Sequence, residues 1–309
     1  MGSRSPTLVV DRSVIPRLGL RPFVAALKLR IGFEITLTAI AGAAITPGIG
    51  LTPWRLVALA FAVLMASSAA GAFNQYAERD IDAQMRRTRH RPFVTGALTA
   101  DRRWPLVIAL MLAAAGALAF VATNVAAAVF TIAGALTYGV VYTLWLKRLT
   151  WLNIVVGGLA GTFAVLAGAA AVDSRIAAPP ALLALALFFW TPPHFWSLAL
   201  YNVEDYERTR VPMLPALISP RQTAAIILLH VVAVIVCSLL PAVFGAGLIY
   251  SACAAAGGAY FLYFAARLWL DPTRARAWSS FKASLVQLTL LLAGAIADGV
   301  ARGQLVGVS

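Results

Sequence analysis

The chain has 309 residues, 61% of them hydrophobic and only 12% charged, with a formal net charge of +13. Soluble domains carry roughly a quarter charged residues, so the polar surface here is too small to cover a globule and a soluble fold is excluded. Apolar runs of about 20 residues, the length that crosses a ~30 Å hydrocarbon core, recur without the period-two alternation of a β-barrel, which leaves an all-α, polytopic membrane protein.

Residues 1–23 read as a polar, basic, Pro-containing cytoplasmic lead-in, with no short apolar core and cleavage site of a removed signal peptide. The first span runs over 24–45 and stops at TPGIGLTP, a Pro- and Gly-rich turn. The second, 54–76, delivers an acidic patch, and a basic loop follows to Arg103. Spans over 104–123 and 126–146 are separated only by Asn124 and its neighbours, and Lys147 and Arg148 end the fourth. A Gly-rich fifth span covers 152–172. The sixth, 178–201, contains TPPHFW, whose Pro pair predicts a kink, and leads into a second acidic patch. Spans over 223–241, 247–269 and 281–301 complete nine. Residues 24–302 thus form one transmembrane domain, a bundle around a central cavity open to the cytoplasmic face, and 303–309 a short tail. Cys237 and Cys253 lie inside apolar runs with no metal or disulfide pattern and read as packing residues.

The basic residues orient this bundle. With the amino terminus in the cytoplasm, all the lysines and arginines except Arg55, Arg175 and Arg302 fall on the cytoplasmic side, as expected for a multi-pass protein of the plasma (inner) membrane. The positive charge therefore meets lipid headgroups rather than nucleic acid. Both acidic patches lie on the cytoplasmic face and the carboxyl terminus on the opposite one. The patches also echo each other: Arg87-Thr88-Arg89 with Pro92 in the first, Arg208-Thr209-Arg210 with Pro212 in the second, each after an even-numbered span. That echo suggests a pseudo-repeat of helices 1–4 and 5–8.

Six of the twelve acids sit in these two patches: Glu78, Asp80 and Asp82 in NQYAERDIDAQMRRTRHRPFVTG, and Glu204, Asp205 and Glu207 in YNVEDYERTRVP. Asn74, Glu78, Asp82 and Arg86 are four apart, so a continuous helix stacks them in one column, with Asp80 turned away. Oxygen donors converging from two helices suit Mg2+, which holds few protein carboxylates and completes its shell with substrate phosphate. Flanking arginines suit the remaining phosphate charge. Either patch alone reads equally well as a solvated helix end with i,i+4 ion pairs such as Asp82 with Arg86; two on one face point to a metal and phosphate site. Tyr142 and Lys147 in YTLWLKR, and Lys28 and Arg30 at the first span, read either as helix anchors or as ligand groups. His194, alone in an apolar run, is a packing residue, a proton group or a haem ligand. His230 reads as packing and His90 as a loop residue.

On these residues the chain resembles the UbiA superfamily of intramembrane prenyltransferases, and within it the protoheme IX farnesyltransferase (haem O synthase) family. The resemblance rests on Asn74 through Asp82 with Arg91, Pro92 and Gly96, on YTLWLKR with NIVVGGLAG at 153–161, on WTPPHFWSLAL at 190–200, and on Asp205-Tyr206 with VPMLP at 211–215. It departs from the family pattern at Glu78, where Asp is usual, at KLR (28–30) for KPR, at Ala164 and Val165 for a Pro pair, at Asn202 for Arg, and at Thr209-Arg210 for Ala-Gly. The resemblance implies that Asn74, Glu78, Asp82 and Asp205 hold Mg2+ on farnesyl diphosphate, with Glu204 beside them. Lys28, Arg30, Arg86, Arg91, Tyr142 and Lys147 would neutralise the leaving group, and Asn153 would line the substrate site. It further implies haem B as acceptor, His194 facing it, haem O as product, and a downstream haem-modifying enzyme or oxidase assembly partner. A relative acting on a quinone precursor or chlorin is the alternative within the superfamily. A transporter is disfavoured, because its charges belong near the bilayer middle.

Overall fold

The computed structural model describes residues 20–307. The lead-in expected over 1–23 falls outside them as far as residue 19, and the expected tail falls outside from residue 308. The first elements are α1 (Leu20–Ala26), α2 (Leu29–Ala44), α3 (Pro53–Ala77), α4 (Arg79–Gln84) and the single turn α5 (Pro92–Thr95). Next come α6 (Arg103–Ala122) and α7 (Val125–Leu136), which continues as a π-helix (Thr137–Trp145) and a 3-10 turn (Leu146–Arg148). Then follow α8 (Asn153–Gly157), α9 (Leu159–Val172), α10 (Ala178–Tyr201) and α11 (Val203–Thr209). The chain finishes with α12 (Pro220–Leu239), α13 (Leu248–Leu270) and α14 (Arg274–Ala301). Among the described residues the only bridge of β type is the isolated pairing of Leu51 with Val306.

Eight helical stretches are long and apolar enough to cross a membrane: Pro53–Ala77, Arg103–Ala122, Val125–Arg148, Asn153–Val172, Ala178–Tyr201, Pro220–Phe244, Leu248–Leu270 and Arg274–Ala301. With α2 they make the nine apolar elements expected. The first span is where the outcome differs, because the apolar run over 24–45 is not one helix. Lys28 adopts left-handed backbone angles (φ 49°, ψ 42°) and separates α1 from α2. The break is built by the last two turns of α3. The Gln75 amide donates to the carbonyls of Ala25 (2.8 Å) and Ala26 (3.1 Å), two acceptors that a helix end leaves orphaned. Gly71 leaves room for the bend, since a Cβ there would stand 3.3 Å from both the Leu27 carbonyl and the Lys28 side chain.

α2 is the central strut, packed against α9, α3 and α14. Its contact with α9 is backbone to backbone: a Cβ on Gly168 would lie 1.7 Å from the Ala39 carbonyl oxygen, and one on Gly42 would lie 2.2 Å from that of Val165. Asn124 makes the short α6–α7 turn by accepting from Ala127 N (2.9 Å) and donating to Ala170 O (2.6 Å). The expected kink does not break α10, which runs through Pro192 and Pro193 as one helix. The Thr191 hydroxyl takes the Leu187 carbonyl (3.0 Å), and the Phe188 carbonyl, which has no N–H partner at Pro192, lies over Gly158.

Candidate active site

Both acidic patches fall where a long helix gives way to a short one. α3 ends at Ala77; Glu78 has φ −98°, ψ 10°, and α4 follows. α10 ends at Tyr201; Asn202 has φ −110°, ψ 29°, and α11 follows. The two short helices pack on one another. A hydrophobic cluster that includes Ile81, Met85, Tyr206, Val211 and Met213 seals them together. Val211, Met213 and Leu214 of the VPMLP stretch are thus core residues.

In the first patch every inward acid is paired with a cation. Glu78, 1% exposed, accepts from Lys147 Nζ at 2.6 Å through Oε2. Asp82, 2% exposed, accepts from Arg91 at 2.6 Å. The Asn74 Oδ1 accepts from Lys28 Nζ at 2.5 Å, and Lys28 also reaches the Tyr138 hydroxyl at 3.1 Å. Asn74 Nδ2 donates to Thr143 Oγ1 at 3.0 Å. Tyr138 and Tyr142 stack with ring centroids 5.8 Å apart, with Lys28 over the first ring and Lys147 over the second.

The π-helix and the 3-10 turn after it explain how one segment supplies Tyr138, Tyr142, Thr143 and Lys147. A π turn closes over five residues rather than four, so Tyr138 and Thr143, five apart, share a face, and the 3-10 turn that follows carries Lys147 over the Tyr142 ring. The Thr143 hydroxyl donates back to the Tyr138 carbonyl at 2.8 Å, which marks that register.

The second patch contributes one buried acid, Asp205, paired with Arg208 one turn along α11. Tyr206 beside it is buried and lies close to Arg87 and Glu78; burial pushes its phenol above the ordinary value, against the opposing guanidinium of Arg87.

Several expected site residues stand elsewhere. The column of Asn74, Glu78, Asp82 and Arg86 does not continue: the helix breaks at Glu78 and the chain is extended at Met85. Arg86 is consequently exposed, Asp82 pairs with Arg91 instead, and it is Arg87 that lies beside Tyr206. Arg30 is exposed next to Glu34. Glu204 turns outward to Arg274 at 2.9 Å, and Asp80 pairs with Arg148 at the surface.

Asn153 is buried, its amide donating to Thr150 O at 2.6 Å while its Oδ1 finds no partner. His194 is a packed side chain between α10 and α14. It is stacked on Trp190 at 4.3 Å, lies against Phe281 and bonds Ser284 Oγ at 2.7 Å. The packing alternative is the one that its surroundings match. His230 is likewise packed, against Trp196 and the Ile226 carbonyl. Tyr138, Thr143, Arg87, Tyr206 and Arg208 are the neighbours that sequence reasoning missed. The five-residue spacing from Tyr142 to Lys147 was the available signal for the first two, legible only to a reader who allows a π turn.

Among the described residues no three His, Cys, Asp or Glu side chains form a ready metal cage. The donor set nevertheless suits Mg2+, which takes one or two carboxylates and leaves the rest of its shell to substrate oxygens. Glu78 Oε1 is a buried carboxylate oxygen without any partner, a costly arrangement unless something cationic engages it.

Comparison with known proteins places this geometry. The sequence pattern of the UbiA prenyltransferase family matches residues 35–291. Protoheme IX farnesyltransferase 2 of Paramagnetospirillum magneticum is 49% identical over 284 residues, covering 92% of this chain and 99% of that protein. Protoheme IX farnesyltransferase 1 of the same organism is 43% identical, over 90% of this chain and 98% of that protein. Among solved structures, a UbiA homolog from Archaeoglobus fulgidus bound to GPP and Mg2+ aligns with TM-score 0.67 at 15% identity, over 89% of this chain and 99% of that one. A digeranylgeranylglyceryl phosphate synthase aligns with TM-score 0.75 at 18% identity, over 91% and 99%. The structural likenesses establish the fold.

Proposed function

The chain belongs to the UbiA prenyltransferase family, and we propose that its reaction is transfer of a farnesyl group from farnesyl diphosphate to a vinyl group of haem B, making haem O. What carries the diphosphate half is the buried cluster of Glu78, Asp82 and Asp205 interleaved with Lys28, Arg91, Lys147 and Arg208. Such a cluster can bind a trianionic headgroup and its counter-ion together. The likeness to protoheme IX farnesyltransferases along nearly the whole chain supports the acceptor.

Asn74, Glu78, Asp82 and Asp205 would hold Mg2+, which when bound supplies charge neutralisation to the departing diphosphate. Lys147, Arg91 and Lys28, released from their present partners, place positive charge around the same oxygens. Charge placed where it develops in the transition state is what lowers such a barrier. The bond from the farnesyl C1 to oxygen breaks with its electron pair on diphosphate. A vinyl carbon of haem B then adds to the allylic cation, and water captures the resulting cation with loss of a proton, giving the hydroxyethylfarnesyl side chain. The apolar bundle keeps bulk water from the cation until that last step.

The same reading sets the protein in the plasma (inner) membrane with its site on the cytoplasmic side. Helices 1–4 and 5–8 form a pseudo-repeat, and the product passes to a haem-modifying enzyme or oxidase assembly partner. Mass spectrometry of haem extracted from cells expressing the chain tests the reaction: a hydroxyethylfarnesyl adduct is expected. Its absence, with prenylated aromatic acceptors found instead, would overturn the assignment of the acceptor.

A further inference from the structure

The π-helical segment carries a side chain whose task the reaction does not explain. Thr143 is buried and touches neither a carboxylate nor a cation. Its hydroxyl accepts from Asn74 Nδ2 at 3.0 Å and donates to the Tyr138 carbonyl at 2.8 Å. On its other side Asn74 meets Lys28 Nζ at 2.5 Å. An ammonium has only donors, so the oxygen of the amide must face Lys28 and the nitrogen must face Thr143. The hydroxyl of Thr143 has one proton, already committed to the Tyr138 carbonyl, so toward Asn74 it is an acceptor. The orientation is thereby fixed from both ends. Lys28 is a basic group that a diphosphate would draw away; Thr143 is neutral and stays.

We propose that Thr143 is a positioning residue, holding the Asn74 amide so that its oxygen points into the site after Lys28 has left it. The inference rests on the metal and diphosphate reading above. Without Thr143 the amide can rotate by half a turn and present two N–H donors where a cation needs an oxygen. Partners of this kind, bonded to a ligating group rather than to the metal, typically matter by 10- to 100-fold in metal affinity. The π turn is what makes the contact available, because Thr143 lies five residues after the carbonyl that takes its proton.

The test measures binding of Mn2+ to the full-length purified protein in detergent, with inorganic pyrophosphate present, by loss of the free-ion EPR signal. Thr143→Val should weaken Mn2+ binding by roughly 10-fold or more, and Thr143→Ser should restore most of it. The Mg2+ concentration for half-maximal farnesyl transfer should rise in Thr143→Val, while the maximal rate at saturating Mg2+ is largely kept. Thr143→Ala carries the same expectation should the valine variant fail to fold. Asp82→Asn separates the two levels of the argument. If Asp82→Asn loses Mn2+ and Thr143→Val binds it as the wild type does, the role of Thr143 is overturned and the metal reading stands. Thr143→Ser as weak as Thr143→Val would also overturn it. Asp82→Asn binding Mn2+ unchanged would overturn the metal reading, and the role of Thr143 with it.

Discussion

The two acidic patches share a layout and differ in what holds them. Each is a long apolar helix, a single residue near φ −100° and a helix of six or seven residues. Two members of the first are matched by partners far away in sequence, Lys147 for Glu78 and Lys28 with Thr143 for Asn74, and Asp82 by Arg91 from the loop that follows its helix. Asp205 in the second is matched within its own helix by Arg208, and Glu204 faces outward to Arg274. The first patch is therefore a product of the tertiary fold, and losing one partner strands a buried charge. The second is locally satisfied and half open, so its charges are free to rearrange.

The widest test of that contrast is catalytic. Asp82→Asn and Asp205→Asn should each lower farnesyl transfer by about 10²- to 10³-fold, the usual cost of removing one preorganised electrostatic group. Retained activity in both would break the idea that the patches form one site. Stability should separate them next. Lys147→Met leaves Glu78 uncompensated in the interior and should cost about 3–5 kcal/mol, read from the midpoint of detergent-induced unfolding. Glu78→Gln in the same chain should return much of it. Arg208→Met leaves the buried Asp205 carboxylate unpaired beneath a half-exposed guanidinium site that water can fill, and should cost less than Lys147→Met, no more than about 2 kcal/mol; a loss as large as that of Lys147→Met would erase the contrast. The smallest effect is a gain. Arg210 ends α11 with φ 53°, and Arg210→Gly should stabilise by about 1 kcal/mol, since only glycine occupies that region without penalty.

Much of the bundle was legible because long apolar runs and the placement of arginines are strong, one-dimensional signals. The eight long apolar helices, the packing of the two patches together, the Asn124 turn and the packed His230 follow from them. Several of the misses share one cause, the assumption that helices continue in α geometry. Arg86 fell in line with Asn74 only on an unbroken helix, and the break at Glu78 puts Arg87 beside the second patch instead. Tyr138 and Thr143 join the cluster through a π turn, which no 3.6-residue periodicity reports. The left-handed Lys28 resembles any other residue of an apolar run until Gly71 and Gln75 are seen beneath it. The Arg210 position shows the reverse case. Arg210 stands where the family usually has glycine, and its positive φ is the physical reason for that glycine.

The break at Lys28 also has a consequence for the lipid. It leaves α2 with sixteen residues, a rod of about 24 Å at 1.5 Å per residue, against a hydrocarbon layer of ~30 Å. A helix that is too short draws the bilayer inward around it or lets flanking side chains reach for the interface. Arg30 stands exposed on the first turn of α2 with Ile31 and Phe33 beside it, a long basic side chain of the kind that reaches for the interface at a helix end. The break that shortens α2 is thus the same one that turns the Lys28 side chain inward to Asn74, so the helix gives up span length where it gains a basic group for the buried cluster.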